Sequence, residues 1–251
     1  MLTLALDNLG VAFGGKPVLR GISAELTGGE LVSVIGQNGC GKTTLLKAVA
    51  GLLPKTGSVR ISENDAELGT ESVAYVPQLT EVTSRLTVFE MVLLGLVKEL
   101  SWRVTHETFD RVDETLHAMH IDRFAHTPVC RLSGGQKQLV FMAQAFVAKP
   151  RVLLLDEPTS ALDLRHQLVV MNAARAYTEK EGAVTMVIVH DLLTAARYSD
   201  RLLMLGNGTV RLFDEPATVL NPDILADVYQ VSVSVERTLP GFLSVVPIKP
   251  L

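Results

Sequence analysis

The fold class of this chain is decided by one stretch of its sequence, Gly36-Gln37-Asn38-Gly39-Cys40-Gly41-Lys42-Thr43-Thr44. It contains the pattern GxxxxGK[ST] and lies between an apolar, β-rich run (residues 31–35) and a helix-forming segment (residues 43–50). Glycines let the backbone curl so that successive N–H groups point inward, and the start of the helix adds free N–H groups. This order of strand, loop and helix predicts a site for the phosphates of a nucleotide.

The side chains of this loop have expected roles in binding ATP. Lys42 supplies a positive charge for the β- and γ-phosphates, Thr43 offers a hydroxyl to Mg²⁺, and Thr44 lies toward the α-phosphate. The other loop positions expected to bind the nucleotide are Gly36, Asn38, Gly39, Cys40 and Gly41. The simpler alternative, a glycine-rich turn that caps an ordinary helix, is disfavoured by the strand and helix on either side.

Two interpretations of the Cys40 side chain stay open. It is either a small filler within the loop, which we favour, or a thiol acidified by the helix N-terminus and by Lys42. The second interpretation predicts that alkylation of Cys40 blocks nucleotide binding and that ATP protects the thiol.

A pair of carboxylates ends a second buried strand. Asp156 and Glu157 follow the apolar residues 152–155, and ligands of open α/β sheets bind at the carboxyl ends of strands. Neighbouring strand residues point to opposite faces, so the two carboxylates are expected to act differently. We expect Asp156 to reach the Mg²⁺ shell and Glu157 to polarise the attacking water. An isolated Asp-Glu-Pro sequence would instead indicate two solvated charges, but the phosphate-binding loop in the same chain favours the functional interpretation.

A third strand end carries His190, which follows the apolar residues 183–189. A lone histidine is usually structural, but this one could sense the γ-phosphate through a hydrogen bond. The loop, the carboxylates and His190 share one cleft only if their strands are neighbours, and the sequence leaves that open.

The remaining segments indicate a single domain over residues 1–251. Buried strands that alternate with helices predict an α/β fold: a P-loop NTPase core of largely parallel sheet with an N-terminal antiparallel β region, over residues 1–85 and 150–230. Residues 86–149 have a helical pattern, with caps at Thr87 and Ser133, and are predicted to form an inserted helical subdomain. After Pro216 the signals weaken, and the tail, residues 231–251, looks extended without an assigned role.

Composition disfavours several classes of protein. The 251 residues carry 23 Lys and Arg against 27 Asp and Glu, a net charge of −4, so a strongly basic nucleic-acid binder is not expected. No apolar run approaches the roughly 18 residues that span a bilayer, and the first residues lack the pattern of a secretory signal. Cys40 and Cys130 cannot form a disulfide framework, so a reducing compartment is expected.

A second candidate anion site is Leu132-Ser133-Gly134-Gly135-Gln136. Ser133 is predicted to cap a helix whose first turn has accessible N–H groups and little side-chain bulk. This segment looks like the signature motif of the ATP-binding subunit of ABC transporters, which the chain resembles over about residues 2–220. The resemblance implies a head-to-tail dimer, either a homodimer or a pair with a close paralogue, in which each signature helix closes on ATP bound by the other subunit.

The resemblance also implies roles for further residues. Gln78 matches the glutamine that contacts Mg²⁺ and the attacking water, and His190 matches the switch histidine. Asp163 ends the loop 160–163 that signals across the dimer and is expected at the nucleotide. Phe13 falls where an aromatic side chain stacks on adenine, although a hydrophobic residue between two strands explains it equally well. The implied catalytic residues are Glu157, His190, Gln78 and Lys42. The implied metal ligands are Thr43, Gln78 and Asp156. The implied nucleotide contacts from the second anion site are Ser133, Gly134, Gly135 and Gln136.

Three stretches, residues 86–90, 93–95 and 162–167, are similar to the subfamily that imports iron chelates, haem or cobalamin. This similarity implies separate transmembrane permease subunits, indirectly a solute-binding protein, and a peripheral location at the cytoplasmic face of the membrane. Residues 86–100 are the candidate docking surface, with ordinary packing as the alternative. Two other functions stay open: a soluble regulatory or assembly ATPase, and transport of another solute. A small-molecule kinase would leave residues 132–136 unexplained.

Overall fold

The computed structural model describes residues 1–78, 84–97, 105–160, 162–239 and 241–251. Within these ranges the strands form three sheets. In chain order the strands are β1 (Leu2–Phe13), β2 (Lys16–Thr27), β3 (Leu31–Gly36), β4 (Thr56–Glu63), β5 (Ala66–Leu68), β6 (Val73–Val76), β7 (Val152–Leu155), β8 (Val184–Ile188), β9 (Arg201–Gly206), β10 (Thr209–Asp214), β11 (Val231–Arg237) and β12 (Leu243–Pro250).

The helices described in these ranges include one in the helix-forming segment after the loop and several within residues 86–149, as predicted. They are α1 (Lys42–Val49), α2 (Val88–Leu93), α3 (His106–Ala118), α4 (Gly134–Phe146), α5 (Leu164–Glu181), α6 (Leu192–Tyr198), α7 (Pro216–Val219) and α8 (Pro222–Tyr229). Short 3₁₀ turns lie at Thr70–Ser72, Leu94–Leu96, Asp122–Phe124 and Val129–Arg131.

The central sheet has the strand order β10-β9-β3-β8-β7-β6. The pairs from β9 to β6 are parallel, and β10 alone among the described strands of this sheet runs antiparallel to its neighbour. Strands β3, β7 and β8 are buried along their whole length, since both faces are covered. The prediction of a largely parallel sheet is therefore confirmed, and the carboxyl ends of β3, β8 and β7 lie side by side.

A second sheet, β2-β1-β4-β5, is antiparallel throughout, as predicted for the N-terminal region. Its buried side chains and those of α1 form one hydrophobic core against one face of the central sheet. A larger core covers the opposite face and contains residues from α2 to α8. Strand β3, from which the loop to α1 starts, thus contributes side chains to both cores.

The C-terminal region was only partly predicted. Within residues 231–251 the strands β11 and β12 are extended, as expected, and pair antiparallel with each other. The helices α7 and α8 were missed, although each has proline in its first turn and Asn221 caps α8 by accepting a hydrogen bond from the backbone of Asp223. Such short helices carry too few apolar residues for periodicity to reveal them.

Candidate functional site

The phosphate-binding loop joins β3 to α1 and depends on glycine at two positions. Gly36 has φ 142° and Gly41 has φ 106°, values in the region that favours glycine. A Cβ atom at Gly36 would lie 2.3 Å from the carbonyl oxygen of Leu205, and one at Gly41 would lie 2.6 Å from Cδ2 of Leu19. Both the curl of the loop and its close packing on β9 and β2 therefore require glycine.

Lys42 closes this loop from within. Its side chain is almost buried, and its Nζ donates to the carbonyl oxygens of Gly36 at 2.8 Å and Gln37 at 3.0 Å. The ammonium group is thereby held at the centre of the loop, where it can pair with phosphate oxygens.

A cavity of about 410 Å³ opens above the loop. Most of the residues that line it were predicted for the nucleotide site, and Val18 on β2 was not. The lining residues are Val18, Asn38, Gly39, Gly41, Lys42, Thr43, Thr44, Glu157 and His190. The three strand ends therefore do share one cleft.

Glu157 occupies the mouth of this cavity between two polar side chains. Its Oε1 lies 2.6 Å from Nε2 of His190, and its Oε2 accepts a hydrogen bond of 2.9 Å from Nε2 of Gln78. The backbone of Glu157 has φ 51°, an unfavourable value for a residue other than glycine and one that is concentrated at functional sites. This conformation turns the side chain away from Asp156 and into the cavity.

Asp156 faces the other side, as the alternation of strand residues predicted. Its Oδ1 accepts from Oγ1 of Thr43 at 2.9 Å, and its Oδ2 accepts from the hydroxyl of Tyr75 at 2.8 Å. Burial, and secondarily the hydrogen bond to Asp156, raises the pKa of Tyr75, so the hydroxyl stays a donor. Tyr75 was not predicted from the sequence, because its contact with Asp156 joins residues 81 positions apart.

Gln78 contacts the carboxylate of Glu157 and not the other two predicted metal ligands, Thr43 and Asp156. Besides Glu157, its Nε2 donates to Oγ of Ser160 at 3.3 Å. Of the predicted metal ligands, Thr43 and Asp156 are connected by a direct hydrogen bond. Contact of Gln78 with a metal ion stays a prediction.

The predicted cap at Ser133 is present and complete. Its Oγ accepts from the backbone N–H of Gln136 at 3.4 Å, and Oε1 of Gln136 accepts from the backbone N–H of Ser133 at 3.0 Å. Gly135 packs on α5, where an added Cβ would lie 2.4 Å from the ring of His166. None of residues 133–136 lines the cavity. The two anion-binding helix ends thus do not share that cavity within one chain.

Two predicted nucleotide contacts also lie outside the lining of the cavity. Phe13 is half-exposed at the end of β1, so stacking on adenine stays a prediction. Asp163 caps α5 by accepting from the backbone N–H of His166 at 2.9 Å, and its Oδ1 lies 2.8 Å from Nδ1 of the same residue. The backbone hydrogen bond, more than the ring, lowers the pKa of Asp163. Ala161, two positions before Asp163, lies outside the described residues.

The Cys40 side chain fits the filler interpretation better than the acidified thiol. Burial raises the pKa of its thiol, and this effect outweighs the opposing charge of Lys42. The thiol is therefore protonated at neutral pH and a poor nucleophile.

Slow alkylation of Cys40 at neutral pH is accordingly expected. In a Cys130→Ser variant, which keeps Cys40 as the one cysteine, the rate of reaction with iodoacetamide should still rise at about pH 9, above the ordinary thiol pKa. N-acetylcysteine serves as the reference thiol. A rate that levels off near neutral pH, with protection by ATP, would support the acidified thiol instead.

Comparison with known proteins decides the family. The model of the family described as ABC transporter matches residues 19–160, more than half of the chain. This chain belongs to the ABC transporter family. It is an ATP-binding subunit with the ABC ATPase fold, and it hydrolyses ATP. ABC ATPase subunits of import systems work as dimers with a membrane permease.

Individual relatives align with nearly the whole length of this ABC ATPase chain. A hemin import ATP-binding protein of Pseudomonas aeruginosa is 38% identical, covering 93% of this chain and 95% of its own length. An iron(3+)-hydroxamate import ATP-binding protein of Bacillus subtilis is 32% identical, covering 94% and 90%. A structure of a metal-chelate type ABC transporter in an inward-facing conformation aligns with a TM-score of 0.87 at 24% identity, over 99% of this chain and 98% of that one, and shows the shared fold.

The candidate docking surface of this ABC ATPase lies partly within the described residues. Leu86, Leu94 and Val97 are exposed there, whereas residues 98–100 are not described. Across the described part of the chain, no helix combines the length and apolar character needed to cross a bilayer.

Proposed function

We propose that this chain is the ATP-hydrolysing subunit of an importer for an iron chelate, haem or cobalamin. The observation that carries the catalytic part is the position of Glu157 between Gln78 and His190 at the mouth of the loop cavity. Glu157 orients and polarises the attacking water, Lys42 and the loop N–H groups stabilise the charge that develops on the phosphates, and His190 senses the γ-phosphate.

Mg²⁺ is proposed to bind between Thr43 and Asp156. The pair offers a hydroxyl and one carboxylate, which suits a hard cation that takes its other ligands from water and nucleotide phosphates. Among the described residues no cluster of three or more His, Cys, Asp or Glu could hold a metal without a nucleotide. When bound, Mg²⁺ would neutralise phosphate charge, and Gln78, whose amide nitrogen bonds to Glu157 and Ser160, would be a further candidate ligand.

Two copies of the chain, or one copy and a close paralogue, are proposed to close head to tail on two ATP molecules. The tip at Ser133 and Gly134 is exposed at the start of α4, yet it lies outside the lining of the chain's own cavity. A second subunit that brings this tip to the γ-phosphate would complete the site. Hydrolysis then removes the group that joins the two subunits.

The closing motion is proposed to act on permease subunits through the surface around Leu86, Leu94 and Val97. The cargo class is supported by the relatives named for hemin and iron(3+)-hydroxamate import. A solute-binding protein would deliver the cargo to the permease. This arrangement locates the chain peripherally at the cytoplasmic face of the membrane.

Uptake by the source cell tests this proposal. Deletion of the gene should abolish uptake of one labelled cargo among haem, a ferric hydroxamate and cobalamin. Wild type and a Tyr198→Phe control should restore uptake, whereas Glu157→Gln should not. Unchanged uptake of all three cargoes would reject the cargo class. Purification of the tagged chain without any polytopic membrane protein would favour the soluble regulatory ATPase.

A further inference from the structure

Both carboxylate oxygens of Asp156 accept hydrogen bonds, and one of these two bonds has no role in the proposed hydrolysis. Asp156 is 4% exposed. Its Oδ1 accepts from Thr43, the proposed metal ligand, at 2.9 Å. Its Oδ2 accepts from the hydroxyl of Tyr75 at 2.8 Å. The second contact therefore occupies the oxygen that Thr43 does not use.

The sheet places these groups together by register. Tyr75 on β6 pairs with Leu154 on β7, and Asp156 follows two residues later on the same face. That face packs on α1, whose first turn carries Thr43. A tyrosine side chain is long enough to reach the diagonal neighbour on an adjacent strand. Strand β6 thus reaches the Asp156 carboxylate from one side and α1 from the other.

We propose that Tyr75 is a positioning residue for the Mg²⁺ of the ATP complex. Its hydroxyl holds Oδ2 of Asp156 and so keeps Oδ1 directed at Thr43 and the metal position. Without this bond the carboxylate turns more freely about its Cβ–Cγ bond, and neither oxygen is held toward the metal position. This inference rests on the proposed Mg²⁺ site at Thr43 and Asp156.

A purely structural role for Tyr75 makes a different prediction. A hydroxyl that only satisfies a buried carboxylate contributes to folding, and its removal disturbs the loop whether or not a metal is bound. A positioning role is specific to the metal complex. The affinity for ATP in EDTA and in Mg²⁺ separates the two roles.

The experiment measures the Kd of a fluorescent ATP analogue in EDTA and in saturating Mg²⁺. For Tyr75→Phe we expect a Kd in EDTA close to wild type and a Kd in Mg²⁺ raised about tenfold, since the lost bond is to a charged group. Tyr75→Leu, which also lacks the hydroxyl, should show the same change. Tyr198→Phe is the matched control, because the buried Tyr198 hydroxyl has no hydrogen-bond partner among the described residues.

Asp156→Asn separates failure of the inference from failure of the Mg²⁺ site. If Asp156→Asn loses the Mg²⁺ effect while Tyr75→Phe and Tyr75→Leu keep the wild-type ratio of the two Kd values, Tyr75 has no positioning role and the site stands. Equal weakening in EDTA and in Mg²⁺ also rejects that role in favour of a structural one. If Asp156→Asn keeps the full Mg²⁺ effect, the proposed site is wrong and the inference falls with it.

Discussion

Glu157→Gln is expected to keep ATP binding and to lose at least about a hundredfold in the rate of hydrolysis. Glutamine has nearly the same shape and can still hydrogen-bond to Gln78 and His190, which contact Glu157 at 2.9 Å and 2.6 Å. It lacks the negative charge that polarises water. Phosphate release under saturating ATP measures the loss, and analogue binding measures the retained affinity.

The same variant should accumulate as a dimer in the presence of ATP, because the γ-phosphate that joins the two subunits is no longer removed. Size-exclusion chromatography with and without ATP detects this change. Glu179→Gln is a suitable control, since Glu179 is an exposed carboxylate of α5 paired with Arg175. Hydrolysis at the wild-type rate in Glu157→Gln would show that another group activates the water. If Glu157→Gln binds ATP tightly but stays a monomer, the head-to-tail dimer is wrong, and the role of Glu157 in activating water is unaffected.

Lys42→Ala is expected to weaken ATP binding by about tenfold to a hundredfold, the range for lost hydrogen bonds to charged groups. The Lys42 ammonium is held inside the loop by the carbonyl oxygens of Gly36 and Gln37, so its charge is already in position before ATP arrives. Alanine removes both the charge and these two bonds. Titration with a fluorescent ATP analogue measures the change.

The control for this variant is Lys47→Ala, on the same helix but outside the lining of the cavity. Circular dichroism of both variants without nucleotide verifies that the protein still folds. Wild-type affinity in a folded Lys42→Ala protein would mean that the loop N–H groups hold the phosphates without this charge.

Helix ends were predictable wherever a single turn decides them. Helix α5 spans Leu164–Glu181, because Asp163 caps its start and Gly182, with φ 58°, ends it. The cap at Ser133 was predictable for the same reason, since all its partners lie within three residues. These features need no information from the rest of the chain.

The environment of the two carboxylates was only half predictable. Alternation along a strand correctly indicated different partners for Asp156 and Glu157. The partners themselves come from other elements: Tyr75 lies 81 positions from Asp156, and Gln78 lies 79 positions from Glu157. No local sequence pattern indicates contacts between residues so far apart in the chain, because such contacts follow from strand order and register.

From its residues alone the sequence determined the phosphate-binding loop, the pair of carboxylates and the capped tip at Ser133, because the chemistry of each lies within a few consecutive residues. Only the tertiary structure decided that β3, β8 and β7 are neighbours, that Tyr75 meets Asp156, and that the tip at Ser133 lies outside the lining of the nucleotide cavity. Those facts depend on how buried apolar strands pair over long separations, and pairing is chosen by the packing of the whole core.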